Sequence, residues 1–428
     1  MILSKYQTLI NKRILPRWSQ CQPSKYDNII IAMSSGVDSS LCASLYSSYP
    51  NVRGIYMRNW SNANDSDEIK KNCDEQDWKD AQKVAKYLNI SIDLVNFEQD
   101  YWLDVFEPML NNYQLGCTPN PDILCNKFVK FGKLNQLLDK KYGNGNYWLV
   151  MGHYSRVLQD KMNKNKYGLF RGIDTHKDQS YYLSQVNSNV WSRTLLPMGH
   201  LYKTEVREFA NELGLPSATK PDSQGICFVN NSQVGKFKNF LKEYIPRTPG
   251  NIITIDTLDH TKRIWGQHDG IWSYTIGQKI GISMPQADPK YKGTWFVSEK
   301  LIDTNEIVIV KGRDNSKLFH NQLQVGQFEI SDNNMNLEQF KKRIYEGIKN
   351  GTLNMQYRSL QEPIKINKCD INNMNSESIW DKKRDSLDIQ LNIQIENSQR
   401  AMAPGQYCCI YDNDEVIGSG PITNTQNV

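Results

Sequence analysis

Apolar residues of this chain fall into short runs separated by polar helical patterns. Asn28-Ile29-Ile30-Ile31-Ala32-Met33 is a buried-strand run that ends in a Ser/Gly loop. Leu41 to Tyr49 reads as a helix, and Val52 to Met57 as a second strand. From Asp74 to Leu88, Trp78, Ala81, Val84, Ala85 and Leu88 recur at helical spacing. Ile92 to Phe97 and Tyr147 to Gly152 give two more strands. Strands alternating with helices predict a doubly wound parallel α/β sheet for the first half of the chain.

The pattern changes after Val229. Lys236 to Tyr244 is a short amphipathic helix with Phe237, Phe240, Leu241 and Tyr244 on one face. Pro246, Pro249 and Gly250 end it, and the chain beyond them is rich in strands and turns. Trp295-Phe296-Val297 and Ile307 to Val310 flank an Asp303-Thr304-Asn305 turn, a hairpin pattern. Leu387, Ile389, Leu391, Ile393 and Ile395 alternate with polar residues as a half-buried strand. Gln406 to Tyr411 is another, and the charged stretch from Ser331 to Thr352 reads as an inserted helix or loop. The pattern predicts four parts: a leader (1–26), an α/β domain (27–235), a small central domain (236–290) and a C-terminal antiparallel β-barrel (291–428).

Charge changes the picture at one end only. The 428 residues carry a net charge of +5. Lys5, Lys12, Arg13, Arg17 and Lys25 precede the first acid, Asp27, and the rest of the chain is neutral. The acid-free, Leu/Ile-containing leader has the pattern of a mitochondrial transit peptide rather than a secretory signal. A neutral body excludes a polycationic nucleic-acid binder, so any RNA surface must be a local patch. No apolar run is long enough to cross a membrane as a helix. Nine cysteines are too few for a disulfide scaffold.

Three segments carry chemistry. Ser34-Ser35-Gly36-Val37-Asp38-Ser39-Ser40 lies between the first strand and a helix. Small residues let backbone N–H groups close on an anion, and the helix terminus adds positive potential. Asp38 can hold Mg²⁺ against phosphates. There is no Gly-Lys-Ser/Thr, so this is not a Walker loop. In Thr118-Pro119-Asn120-Pro121-Asp122-Ile123-Leu124-Cys125-Asn126-Lys127, two prolines stiffen a loop that presents Asp122 and Cys125. If Cys125 precedes a helix carrying Lys127 and Lys130, both would favour its thiolate. The third segment is Pro221-Asp222-Ser223-Gln224-Gly225-Ile226-Cys227-Phe228. Either cysteine alone is equally compatible with a buried core residue.

Together these segments resemble the MnmA-type tRNA-specific 2-thiouridylases, in their mitochondrial form. Gly152-His153-Tyr154, Lys177-Asp178-Gln179-Ser180, Tyr274-Thr275-Ile276-Gly277-Gln278 and Ala403-Pro404-Gly405-Gln406 come in the family's order. The resemblance runs from Asp27 to Ile422. It implies an ATP pyrophosphatase-type catalytic domain that adenylates the 2-oxygen of the wobble uridine. Sulfur from a Cys227 persulfide then displaces AMP, with Cys125 as the partner thiol and a Cys125–Cys227 disulfide as by-product. Asp122 would be an acid/base group, and Asn120 and Pro121 would meet the flipped-out base. ATP would be held by Ala32, Met33, Ser34, Ser35, Gly36, Val37, Asp38, Ser39, Met57 and Gly152. His153, Lys177, Asp178, Gln179, Gln356, Tyr357 and Gln406 would touch the anticodon arm of tRNA. The family usually has Arg-Tyr at 356–357, and Arg358 could replace the missing cation. Ser35 stands where Gly is usual. A cysteine desulfurase or a sulfur carrier would load the persulfide. An iron–sulfur cluster on Cys117, Cys125 and Cys227 is the alternative sulfur route. The same loop also serves small-metabolite ligases, against which the two cysteine segments argue.

Overall fold

The computed structural model describes residues 2–61, 68–222, 237–256, 258–285, 287–374 and 388–426. Cys227 and its neighbours lie outside the described residues.

The α/β domain is built on five parallel strands. Across the sheet they run Ser91–Asn96, Val52–Arg58, Asn28–Ala32, Tyr147–Val150 and Thr194–Leu195. The strand order reverses between Asn28–Ala32 and Tyr147–Val150, where a doubly wound sheet opens a ligand crevice. Ile29, Ile30 and Ile31 are almost fully buried because helices cover both faces.

The leader is part of this domain. Ile2–Arg13 is a helix, and Tyr6 and Ile10 pack into the core beside Leu41 and Val206. Tyr6, Ile10 and Ile14 recur at intervals of four, so they share one helix face. Arg13 forms a two-pronged salt bridge with Glu205 at 2.8 Å. Arg17 binds the buried Asp160, and Lys5 binds Glu212. Trp18–Ser19 then pairs with the Ser155–Asp160 strand. Apolar spacing and three ion pairs fasten the segment before residue 27 to the domain.

The central domain is a second sheet, ordered Lys262–His268, Gly250–Ile255, Glu306–Lys311, Trp295–Leu301 and Lys279–Ile280. The boundary expected at 290 is corrected. The 295–311 hairpin pairs with Gly250–Ile255, so it belongs to the central sheet and not to the barrel. Beyond it, six antiparallel strands close a barrel: Phe319–Ile330, Leu353–Gln356, Ile364–Met374, Asp388–Arg400, Tyr407–Asp412 and Glu415–Gln426. The inserted segment is a helix, Leu337–Asn350, started by an Asn336/Gln339 capping box and ended by Gly351 in the left-handed region.

The domains share a core. One apolar cluster joins Cys125 and Ile123 to Cys409 and Tyr411 of the barrel and Trp272 of the central domain. Among the described residues no helix is long and apolar enough to span a membrane.

Candidate active site

The phosphate-loop end is built at the switch point. Asn28–Ala32 delivers the chain to Ser34–Gly36, and Val37–Tyr46 departs as a helix with Asp38 in its first turn. Ser39 Oγ donates to the Ser34 carbonyl at 2.9 Å and accepts from the Ser34 N–H at 3.1 Å. Gly152 packs directly against this loop. A Cβ there would lie 3.1 Å from the Ser39 nitrogen and 3.2 Å from Asp38. Ser35 is absent from the described non-glycine residues with left-handed backbone, so serine is unstrained where the family has glycine. Its hydroxyl donates to Asp77 at 2.6 Å. Met57 is the penultimate residue of the neighbouring strand.

An ion network extends from this loop. Asp38 accepts from Lys203 Nζ at 2.7 Å and from the Tyr154 hydroxyl at 2.6 Å. Burial and then the Asp38 charge push the Tyr154 phenol up, so it stays a donor. Lys203 also reaches Asp222 at 3.0 Å, and Asp222 binds Lys177 at 2.8 Å and Arg207 at 2.6 Å. Burial alone would raise the Asp222 pKa, but hydrogen bonds from Lys177 and Lys203 hold it near about 2. Lys220 pairs with Asp77 and Asp80. Asp222 lies five positions before Cys227, which ties the root of that segment to the phosphate loop.

The cysteine end lies on one continuous helical stretch from Pro121 to Tyr142. Asn120 occupies the cap and Pro121 the first position, where its missing N–H costs nothing. Cys125 was expected to precede a helix; it sits inside one, at the start of a π-wound segment, and is buried. Lys127 was expected to acidify this thiol. Its ammonium is instead held by Glu329 of the barrel at 2.6 Å and by Gln185 at 2.7 Å.

Asp122 lies three positions before Cys125 on the same helical stretch. Burial raises its pKa, and Lys130 only partly opposes this. Tyr182 lies within electrostatic reach of it. Lys130 also acts on His153, whose pKa burial lowers to about 3. His153 is therefore neutral; its Nδ1 is shielded and has no hydrogen-bond partner, and its ring packs on Phe131. Asp122 and His153 are thus both within electrostatic reach of Lys130, and Tyr182 within that of Asp122.

Two other domains clamp the segment leading into that helix. Lys300 of the central domain donates to the Gly116 carbonyl at 2.7 Å. Burial lowers the pKa of this lysine to about 8. The Thr118 N–H donates to the Pro404 carbonyl at 2.8 Å, and Gln406 Nε2 donates to the Thr118 carbonyl at 2.8 Å. Gly405 must be glycine: its φ is +91°, and a Cβ would lie 2.8 Å from the Thr118 nitrogen.

Several residues expected to face tRNA are occupied otherwise. The Asp178 carboxylate is buried and accepts from the Gly172 and Ser180 N–H groups. Gln179 accepts from the Tyr154 N–H, and Lys177 holds Asp222. Gln356 and Tyr357 are buried; Gln356 donates to the Gln361 carbonyl and Tyr357 to that of Arg400. Arg358 beside them is exposed. Gln406 anchors the Thr118 carbonyl instead of projecting outward. Sequence reasoning missed Lys203, Lys300 and Arg13, which no motif marks.

The residues fit a Mg²⁺ that arrives with a nucleotide. Mg²⁺ needs few protein carboxylates when phosphates complete its shell, and Asp38 supplies one. Among the described residues no three His, Cys, Asp or Glu side chains converge as a metal site. Cys117 and Cys125 alone therefore do not make a cluster site.

A phosphate loop at the switch point of a 3-2-1-4-5 sheet, in a domain that also carries the half-buried Asp122 three positions before the buried Cys125, defines a nucleotide-using α/β enzyme of the HUP class. Residues 27–231 match the tRNA methyl transferase HUP domain, 238–311 its PRC-barrel domain and 330–422 the aminomethyltransferase β-barrel domain. The chain is 55% identical to mitochondrial tRNA-specific 2-thiouridylase 1 of Saccharomyces cerevisiae, covering 100% of this chain and 99% of that protein. It is 33% identical to the protein of the same name in Schizosaccharomyces pombe, over 100% and 98% of the two chains. It is 34% identical to tRNA-specific 2-thiouridylase MnmA of Ligilactobacillus salivarius, over 92% and 94%. The chain belongs to the tRNA-specific 2-thiouridylase family.

Proposed function

We propose that this protein replaces the 2-oxygen of the wobble uridine by sulfur in the mitochondrial tRNAs for Lys, Glu and Gln, within the matrix. The observation that carries the reading is the joining of two ends in one rigid domain: a phosphate loop at the sheet switch point and a clamped Asp122–Cys125 segment. A uracil carbonyl oxygen is a poor leaving group. In the proposed reaction it attacks the α-phosphorus of ATP, pyrophosphate departs, and the oxygen becomes part of AMP. Asp122, protonated more readily than an ordinary carboxyl because it is buried, can exchange a proton with the base. Neutral His153 can accept or donate a hydrogen bond to the flipped nucleotide without charge cost.

The terminal sulfur of a Cys227 persulfide then attacks C2 and AMP leaves. Cys125 attacks the Cys227 sulfur, which releases the thiouridine and leaves a Cys125–Cys227 disulfide. A two-electron reductant resets the pair, and a cysteine desulfurase or a sulfur carrier reloads Cys227. Mg²⁺ would be held by Asp38 and the nucleotide's phosphates, neutralising charge on the departing pyrophosphate. Arg358 is the cation offered at the 356–358 position to the anticodon arm. The leader's basic, acid-free character supports import into mitochondria.

The test uses purified full-length protein, unmodified tRNA, ATP, Mg²⁺ and a persulfide donor. Pyrophosphate release and oxygen-to-sulfur exchange in the wobble nucleoside are expected together. Pyrophosphate release without tRNA dependence, or none at all, overturns the reading.

A further inference from the structure

The phosphate loop carries no lysine of its own, yet a triphosphate brings several negative charges to it. Among the described residues, a cation is brought to the loop from elsewhere in the chain. Lys203 starts the Lys203–Glu212 helix, and its N–H is fixed by Asp174 at 2.9 Å. Its ammonium lies 2.7 and 2.9 Å from the two oxygens of Asp38, which belongs to the first turn of the phosphate-loop helix. The side chain is only 14% exposed, so its charge is held inside the site and not out in solvent. Both of its carboxylate partners keep other donors without it. Asp38 retains the Tyr154 hydroxyl, and Asp222 retains Lys177 and Arg207. Withdrawing Lys203 therefore leaves neither acid bare, which is the costly outcome for a part-buried charge.

We propose that Lys203 is the phosphate-binding lysine of this site, moving from Asp38 to the β- and γ-phosphates when ATP binds and freeing the Asp38 carboxylate for the accompanying Mg²⁺. The exchange conserves charge: one cation leaves Asp38 as another arrives with the nucleotide. It accounts for a lysine parked on a loop carboxylate and for the redundant donors around both acids. Lys203 is thus a substrate-contacting residue, and Asp222 its resting partner.

This inference rests on the ATP-dependent reading above, and one binding experiment separates the two. Full-length protein is titrated with Mg·ATP, with Mg·pyrophosphate and with AMP, without tRNA. Lys203→Gln is expected to weaken ATP and pyrophosphate by about ten- to a hundredfold, the range for losing a charge-assisted contact, and AMP by less than about twofold. Lys203→Arg should restore part of the loss, since it keeps the charge and both ion pairs. Unchanged ATP affinity in Lys203→Gln would make Lys203 a structural tie and overturn the proposal. Equal weakening of ATP and AMP would also overturn it, as damage to the fold. Wild-type protein that binds no ATP would instead sink the ATP-dependent reading itself, and this inference with it.

Discussion

The two ends of the site are held by different physics. At the phosphate loop, charged side chains from several segments of one domain hold one another: Asp38, Lys203, Asp222, Lys177 and Arg207. At the cysteine loop, backbone groups are held by the other two domains, through Lys300, Pro404 and Gln406. An ion network can exchange partners when a charged ligand arrives. A backbone clamp fixes position and offers nothing to exchange. The ATP end is thus arranged to respond to charge, and the cysteine end to keep Asp122 and Cys125 in register with the domains that surround them.

The sharpest way to break this comparison is to remove the sulfur chemistry alone. Cys125→Ser should reduce 2-thiouridine formation by more than about a hundredfold while ATP affinity stays within about twofold, because the proposed mechanism uses the thiol only after nucleotide activation. Parallel loss of ATP binding would show that the ends are not separable. Next in size is Gly405→Ala. Its left-handed backbone and the close Thr118 contact should cost about 2–4 kcal/mol of stability, read as a lower melting temperature. Gly152→Ala is the counterpart at the other end, expected to weaken ATP binding by roughly tenfold through pressure on the Ser39 N–H and Asp38. A smaller effect is expected of Gln406→Ala. It deletes one hydrogen bond, about 1 kcal/mol, and should lower kcat for thiolation roughly fivefold with the KM for ATP unchanged. A raised KM for ATP instead would join the clamp to the nucleotide site.

Acid should act on the cysteine side through His153 and beside Arg13 and Arg156 through His200. Burial lowers both pKa values to about 3. Unfolded imidazole takes its proton near the ordinary value of about 6.5, so stability is full above that pH and falls as pH drops toward 3. Thermal melts should show this loss between about pH 6.5 and 5, and His200→Gln should flatten it. An equal slope in the variant would place the acid sensitivity elsewhere.

The parallel strands, the strand–loop–helix setting of Ser34–Ser40 and the proline-bearing turn before Cys125 were legible because each rests on local pattern: apolar runs, small residues before a helix, prolines in a loop. The 290 boundary failed because strand pairing between Gly250–Ile255 and Glu306–Lys311 is non-local. In the leader, charge is the stronger signal, and it hid the four-residue spacing of Tyr6, Ile10 and Ile14. Those residues pack on the core, so N-terminal mass analysis of the mature protein is expected to find the chain still carrying Arg13 and Trp18. Lys203 and Lys300 escaped notice because a lysine's partner is set by tertiary placement. The tRNA contacts expected at Asp178, Gln179, Gln356 and Gln406 rest on single positions, with no local pattern to say which way each side chain points.

The central claim is wobble-uridine thiolation that depends on Cys125. Mass spectrometry of nucleosides from mitochondrial tRNA tests it directly, in cells lacking the protein and in the same cells given wild-type or Cys125→Ser protein. The account predicts that 2-thiouridine derivatives disappear, return with wild type and stay absent with the variant. Unchanged 2-thiouridine in cells lacking the protein would contradict it.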